Sequence, residues 1–178
     1  MTMLRILLQR FFGTENPLHA KLRNVPLFKE LSHRELREIE QALQRNTLAA
    51  GETIFEQGDA GVGLYIILSG EVEISQESED GSTVQLTHIE DDAFFGETAL
   101  LDDASRTATA VAVEETELAL FPRSGLLALA EQRPHLGVKI VMQLSQIIAE
   151  RLRRTNRGLR AAREEVEAIQ KRFESDSK

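Results

Sequence analysis

Residues 64–89 read LYIILSGEVEISQESEDGSTVQLTHI. Three runs in this stretch have β character: Leu64–Ser69, Glu71–Ser75 and Thr83–Ile89. In the second, Val72 and Ile74 alternate with Glu71, Glu73 and Ser75, the period-two pattern of a half-buried strand. Ser69–Gly70 and Glu79–Asp80–Gly81 punctuate the runs, and both dipeptide types favour tight hairpins. Working outward, Gly51, Gly58, Gly61 and Gly63 bracket a further short run at Thr53–Glu56. After Arg106, two more strands are predicted at Thr107–Val113 and Glu117–Phe121, joined by the acidic turn Glu114–Glu115. Many short strands separated by Gly-rich turns argue for a roll, sandwich or barrel and against a parallel α/β sheet.

Helices flank this region on both sides. Residues 3–12 have the pattern of a short amphipathic helix, and Gly13–Pro17 breaks it. No element is predicted over 18–31. Ser32 followed by Glu35 is a capping box, and Leu36, Ile39, Ala42 and Leu43 follow at helical spacing, so a helix is predicted over 32–45. Pro122 closes the β region, and Ser124 is read as the cap of the next helix, which ends before Pro134. From Pro134 to about Phe173 no proline intervenes, and one long helix is predicted, of about 60 Å at 1.5 Å per residue. Its positions Leu152, Thr155, Leu159, Ala162, Val166, Ile169 and Phe173 are spaced 3-4-3-4, the coiled-coil seam pattern. Such a helix outruns any small barrel and calls for a partner, most simply the same helix of a second copy. The fold class expected is therefore α+β, mainly β: an antiparallel, jelly-roll-like double-stranded β-helix with N-terminal helices and a long C-terminal helix. The domain organisation expected is an N-terminal helical extension at 1–17, the roll at 18–134 and the long helix at 135–178.

Composition excludes several classes. Hydrophobic residues make up 42% and charged residues 28% of the 178, the balance of a soluble globular chain. There is no cysteine, which removes disulfides, thiolate metal sites and thiol nucleophiles. No apolar run reaches membrane-spanning length, and the apolar start MTMLRILLQRFF carries Arg5 and Arg10 and lacks a small-residue cleavage site, so a cytoplasmic location is expected. Only His88 of the four histidines lies in the β region, too few for the several-His metal site of a cupin-like roll. No metal and no enzymatic activity are expected.

Charge is partitioned sharply. From Asn46 to Pro122 there are seventeen acidic residues and one basic residue, Arg106, a net charge of −16; the remainder of the chain nets +8. So acidic a segment repels nucleic acid. An isolated arginine among apolar strands and acids is either a surface accident or a placed anion ligand. The neighbouring residues favour the second. Gly96 allows close backbone approach, a short helix starting at Glu97 presents amide donors, Arg106 offers a guanidinium fork for phosphate oxygens, Thr107 adds a hydroxyl, and Glu97 is an acceptor for a ligand hydroxyl, as a ribose would need.

These residues resemble the cyclic nucleotide-binding domain family. The family's phosphate-binding cassette reads approximately F-G-E-x-A-L, a short spacer, then R-[TSA]-A-[TS]; here FGETAL stands at 95–100 and RTAT at 106–109. GETIFEQGD at 51–59 and LYIILSGEVEI at 64–74 match as well, and the resemblance covers roughly residues 25–155. It implies a cyclic purine mononucleotide as ligand, cAMP or cGMP, with cAMP favoured. It implies that Glu97 and the Gly96 backbone hold the ribose 2′-hydroxyl, that Arg106 and the amides around Thr98 and Ala99 hold the cyclic phosphate, and that Thr107 meets the phosphate or the base edge; a hydroxyl there favours cGMP in some members. In a bacterial activator of the family a Thr-Ser pair on the long helix reaches adenine at the dimer seam, and Thr155–Asn156 is the comparable pair here. A polar residue that fixes coiled-coil register is the other reading of Thr155.

The expected output follows from what accompanies the cassette. The sequence ends at Lys178 without a helix-turn-helix, so a sensor module is expected, with no direct sequence-specific DNA binding, that signals through an effector protein or through homodimerisation by the C-terminal helix. Arg151, Arg153, Arg154, Arg157, Arg160 and Arg163 fall within thirteen residues without an acid among them. They suit an acidic partner, an anionic membrane or nucleic acid, or else pair with the acidic roll. The N-terminal helix, with Leu4, Ile6, Leu7, Leu8, Phe11 and Phe12, would either pack on its own domain or make peripheral membrane contact. The competing expectation is a ligand-free oligomeric adaptor.

Overall fold

A computed structural model describes residues 16–176; the helix expected over 3–12 lies outside them. Helix α1 (Pro17–Asn24) and helix α2 (His33–Ala42) precede eight strands: β1 (Gln44–Leu48), β2 (Thr53–Phe55), β3 (Gly63–Ser69), β4 (Val72–Glu77), β5 (Thr83–Ile89), β6 (Phe94–Phe95), β7 (Thr109–Ala112) and β8 (Thr116–Pro122). A 3-10 turn, Glu97–Leu100, sits between β6 and β7, and helices α3 (Arg123–Gln132) and α4 (Pro134–Asp176) follow. The strands form two four-stranded antiparallel sheets, ordered β1-β8-β3-β6 and β2-β7-β4-β5. This is the expected β-roll with N-terminal helices and a long C-terminal helix.

The strand sequences reflect their places. β3 is buried along nearly its whole length, so GLYIILS has no alternation. Leu48, Ile67, Val72, Phe95, Ala110, Ala112 and Leu118 fill the space between the sheets. The opposite side of the first sheet meets the helices: α1 packs on β3 and α3 on β8, and Phe28 meets Phe121 edge-on at 6.2 Å. Leu22, Val25, Leu27, Leu36 and Ile39 are buried there. β5, an edge strand, is exposed almost throughout.

Four sequence expectations are corrected. Ser69–Gly70 is not a hairpin: β3 and β4 lie in different sheets, as do β7 and β8. The two connections cross together, with Ser69 opposite Glu117 before the crossing and Val72 opposite Ala112 after it. Gly70 has φ +100°, and a Cβ there would lie 2.5 Å from Thr116 Oγ1 and 2.8 Å from the Glu115 carbonyl, so glycine serves a crossover of two strands and not a two-residue turn. The second turn is a hairpin between β4 and β5, closed by Ser78 N–H to Ser82 O at 2.8 Å, with Asp80 accepting from Ser82. Helix α1 was not predicted; Asn16 caps it through Oδ1 to the Leu18 amide, 3.0 Å, and Pro17 stands at its first turn. Helix α2 keeps its capping box, Ser32 with Glu35, but stops at Ala42 because Leu43 turns extended, and the next residues become edge strand β1. Helix α3 begins after Pro122, and Ser124 does not cap it.

By compactness the chain divides into a unit ending at Ile140 and a second from Val141 onward. The second is the continuing α4 helix, whose Leu152, Leu159, Val166 and Ile169 are exposed by 60, 50, 54 and 46%. Among the described residues no helix is long and apolar enough to cross a membrane.

Candidate functional site

The cassette is built where β6 ends. Phe94 and Phe95 are buried, which anchors the strand, and Gly96 then turns the backbone into the left-handed region at φ +68°, ψ +24°. The 3-10 turn follows with Ala99 and Leu100 packed inward. Ala99 sits against Gly61 so closely that a Cβ on Gly61 would lie 2.6 Å from the Ala99 Cβ and 2.8 Å from the Ala104 carbonyl. After the loop 101–105, Ser105 bridges to Ala60, the Arg106 amide donates to the Asp59 carbonyl at 2.8 Å, and the Gly58 amide donates to the Arg106 carbonyl at 2.9 Å. The backbone on both sides of Arg106 is therefore fixed by the turn that follows β2.

Arg106 is 6% exposed. Its Nη1 donates to the Gly96 carbonyl at 3.0 Å and its Nη2 to the Gly63 carbonyl at 2.8 Å. The guanidinium lies 4.1 Å from the centre of the Phe55 ring and 5.5 Å from that of Tyr65, a geometry for cation–π attraction. Tyr65 stacks on Phe95 at 5.5 Å, and Phe55 meets Phe95 at 5.8 Å, so the rings form one platform. The Nε atom is buried and has no hydrogen-bond partner among the described residues. Burial pulls the guanidinium's pKa below its ordinary value, while Tyr65, Asp59 and Glu97 oppose that shift. Such a group stays protonated. The result is a buried cation hydrogen-bonded to two backbone carbonyls and flanked by aromatic rings, with the charges of Asp59 and Glu97 acting on it. A Cβ on Gly96 would stand 2.4 Å from Nη1, so the guanidinium occupies the space a side chain at 96 would need, and only glycine fits there.

Around this cation Glu97 is half-buried and Thr98 and Thr107 are exposed. The Ala99 amide donates to the Gly96 carbonyl at 3.3 Å, a long bond that belongs to the turn. Among the described residues, no group of three or more His, Cys, Asp or Glu side chains is placed to hold a metal. A desolvated guanidinium beside exposed hydroxyls and a carboxylate suits a ligand with an anionic centre next to a hydroxyl.

The family model for the cyclic nucleotide-binding domain matches residues 45–133, the stretch that contains both sheets and the cassette. The chain belongs to the cyclic nucleotide-binding domain family. The cyclic AMP receptor protein of Thermus thermophilus is 36% identical over 132 residues, 74% of this chain, and the chain spans 59% of that relative's length. The solved N-terminal domain of a transcriptional regulator from Streptomyces coelicolor is similar at 32% identity and a TM-score of 0.66, covering 76% of this chain and 94% of that domain. The regulatory domain of Toxoplasma gondii PKA, solved with cAMP, is similar at 31% identity and a TM-score of 0.59, covering 65% of this chain and 44% of that one.

Within the cyclic nucleotide-binding domain, Gly96, Glu97, Thr98 and Ala99 form one continuous turn, and Arg106 reaches back to it through Gly96; Thr107 is the adjoining residue. Thr155 and Asn156 are exposed on α4 in the second unit, where the Thr155 hydroxyl donates to the Arg151 carbonyl at 3.1 Å. Sequence reasoning missed Phe55, Tyr65 and the Gly63 carbonyl as partners of Arg106. Phe55 and Tyr65 stand inside the quoted motifs 51–59 and 64–74, but no spacing rule connects them to residue 106.

Proposed function

We propose that this chain is a cyclic nucleotide sensor that binds a purine 3′,5′-cyclic mononucleotide, cAMP in preference to cGMP. The observation that carries the reading is Arg106: a buried guanidinium with an unpartnered Nε and carbonyls for hydrogen-bond partners. The cyclic phosphate brings a negative charge to the guanidinium, and a charge-assisted bond in a desolvated site is stronger than one at the surface. Glu97 and the Gly96 backbone take the ribose 2′-hydroxyl, Thr98 and Ala99 contribute backbone to the phosphate, and Thr107 lines the phosphate or base edge. The preference for cAMP rests on relatives whose own names or structures carry cAMP.

In this reading the roll at 18–134 is the sensor and the helix at 135–178 the output element. The exposed apolar residues Leu152, Leu159, Val166 and Ile169, spaced 7, 7 and 3 along the heptad seam, support a homodimer. At a dimer seam Thr155 and Asn156 are the candidates to reach the purine, and a polar residue that fixes coiled-coil register is the other reading of Thr155. Binding shifts the output equilibrium by the difference in ligand affinity between the two states, and an effector protein reads the result in the cytoplasm without catalysis by this chain.

Thermal unfolding of nucleotide-stripped protein tests the reading. At 100-fold excess over the dissociation constant a ligand stabilises by about 2.7 kcal/mol, roughly 5–10 °C for a chain of this size. The expected result is such a shift with cAMP, a smaller one with cGMP and none with 5′-AMP. No shift with either cyclic nucleotide would sink the reading in favour of a ligand-free adaptor.

A further inference from the structure

Away from the cassette, a groove of about 580 Å³ runs between α2 and α3. Its floor is small and apolar: Ala42, Gly125 and Ala128, with Leu129 beside them. A Cβ on Gly125 would stand 3.3 Å from Pro122 Cγ and 3.4 Å from Ala42 Cβ, so the two helices approach closely there. The rim is polar and positive. Arg34 and Arg37 project from the exposed side of α2, whose other side buries Leu36 and Ile39. Arg133 lines the groove as well, its Nε donating to Glu38 at 3.1 Å. That bond is the groove's own neutralised pair. Arg34 and Arg37 have no carboxylate partner among the described residues, and at an i, i+3 spacing on a helix they are neighbours.

Past Arg34 and Arg133 the groove continues into a depression of about 440 Å³ against Pro134, His135 and Leu136, where Glu35 pairs with Lys139 and Glu38 with Arg133. This length suits an extended segment more than a single ion. Charge selects the occupant. Arg34, Arg37 and Arg133 lie outside the region from Asn46 to Pro122, which nets −16, in the part of the chain that nets +8, so the groove rim is a positive patch beside an acidic roll. An anionic segment is attracted to the rim and repelled by the surroundings, which fixes both place and partner. Nucleic acid would meet the same acidic surroundings along a far longer charged backbone.

We infer that the α2–α3 groove is a docking surface for an acidic peptide segment of a partner protein. Carboxylates of the segment meet Arg34 and Arg37, and a small apolar side chain rests over Ala42 and Ala128. This inference stands on the groove alone and does not depend on nucleotide binding.

The test is titration of the isotope-labelled full chain with a short peptide of alternating Glu-Glu and Ala-Ala pairs, read by amide NMR. The expected result is saturable shifts confined to α2, α3 and the α3–α4 junction. Binding becomes about tenfold weaker in the exposed double variant R34E/R37E and is blocked in Ala128→Trp, whose side chain fills the floor. It also weakens with added salt. Absence of saturable shifts, equal affinity in R34E/R37E, or shifts that map to Arg151–Arg163 instead would each overturn the proposal. Tighter binding of an oligothymidylate at the same amides would overturn it in favour of a nucleic-acid surface.

Discussion

Arg106 and the arginines of the long helix carry the same charge in opposite settings. On α4, Arg153 donates to Glu150 at 2.8 Å and Arg157 to the same carboxylate at 3.5 Å, with side chains 63 and 70% exposed. Pairs of this kind contribute between zero and about 1 kcal/mol, because water and salt screen them and two long side chains lose freedom. Arg106 is buried, is held by two carbonyls and two aromatic faces, and leaves one nitrogen without a partner. Six arginines within thirteen residues thus lie on a solvated helix, and one arginine among seventeen acids is buried beside the cassette turn. Burial, not the number of cations, sets Arg106 apart, and the proposed function places its ligand there.

The largest effect expected is on that contrast itself. Arg106→Ala removes the charged bonds to the cyclic phosphate and weakens cAMP by at least about 3 kcal/mol, a factor above roughly 100. The triple variant R153A/R157A/R160A leaves it within about twofold. Calorimetric titration of both variants checks this, and equal losses would erase the distinction between the two settings. Next in size is the dimer. Leu159→Asp removes an apolar contact from both copies of the seam, worth about 3 kcal/mol or more in total. The variant should sediment as a monomer at concentrations where the parent sediments as a dimer; a monomeric parent would remove the seam from the account.

Two smaller predictions contrast positions before and after Ile140. Glu35 is held below the usual carboxylate range: burial pushes its pKa up, but the backbone amide and hydroxyl of Ser32, and then Lys139, outweigh it. A depressed folded pKa gives stability that is present above the unfolded value of about 4.3 and is lost as pH falls through the folded one. Glu35→Gln should therefore cost about 0.5–1 kcal/mol at pH 7 and less near pH 3. Urea titrations at the two pH values check it, and a pH-independent cost would contradict the assignment. The two glycines of α4 should respond with opposite signs. A Cβ on Gly158 meets nothing within 4 Å, so Gly158→Ala gains about 0.5–1 kcal/mol of helix stability. A Cβ on Gly137 would stand 2.7 Å from the Ala130 Cβ and 2.8 Å from its Cα, so Gly137→Ala loses stability despite the better helix propensity. Melting temperatures that rise for both would show that α3 can give way.

Much of the roll was legible because its strands carry local signals. Val72 and Ile74 alternate, Glu79–Asp80–Gly81 closes a hairpin, and Ser32 with Glu35 caps α2 as read. What failed was pairing. Ser69–Gly70 has the composition of a hairpin, and only its partner crossing at Val113–Thr116 reveals two strands changing sheets together, a long-range fact that no window of sequence contains. Strand β1 was hidden for a similar reason. QRNTL has little β character of its own and is a strand because β8 pairs with it from Gln44–Leu120 to Leu48–Thr116. Helix α1, by contrast, had its signal in Asn16–Pro17, an N-cap followed by a first-turn proline. At the site, Gly96 through Ala99 and Arg106 could be picked from the cassette pattern. The Phe55–Tyr65–Phe95 platform could not, since three separate strands bring it together.

The central claim is that Arg106 waits for a cyclic phosphate. Its most direct test is calorimetric titration of nucleotide-stripped wild-type protein with cAMP beside 5′-AMP, which keeps the purine and ribose but opens the phosphate ring. The account predicts saturable binding of one cAMP per chain and none of comparable strength for 5′-AMP. Equal binding of the two nucleotides, or no saturable heat with cAMP, would contradict it.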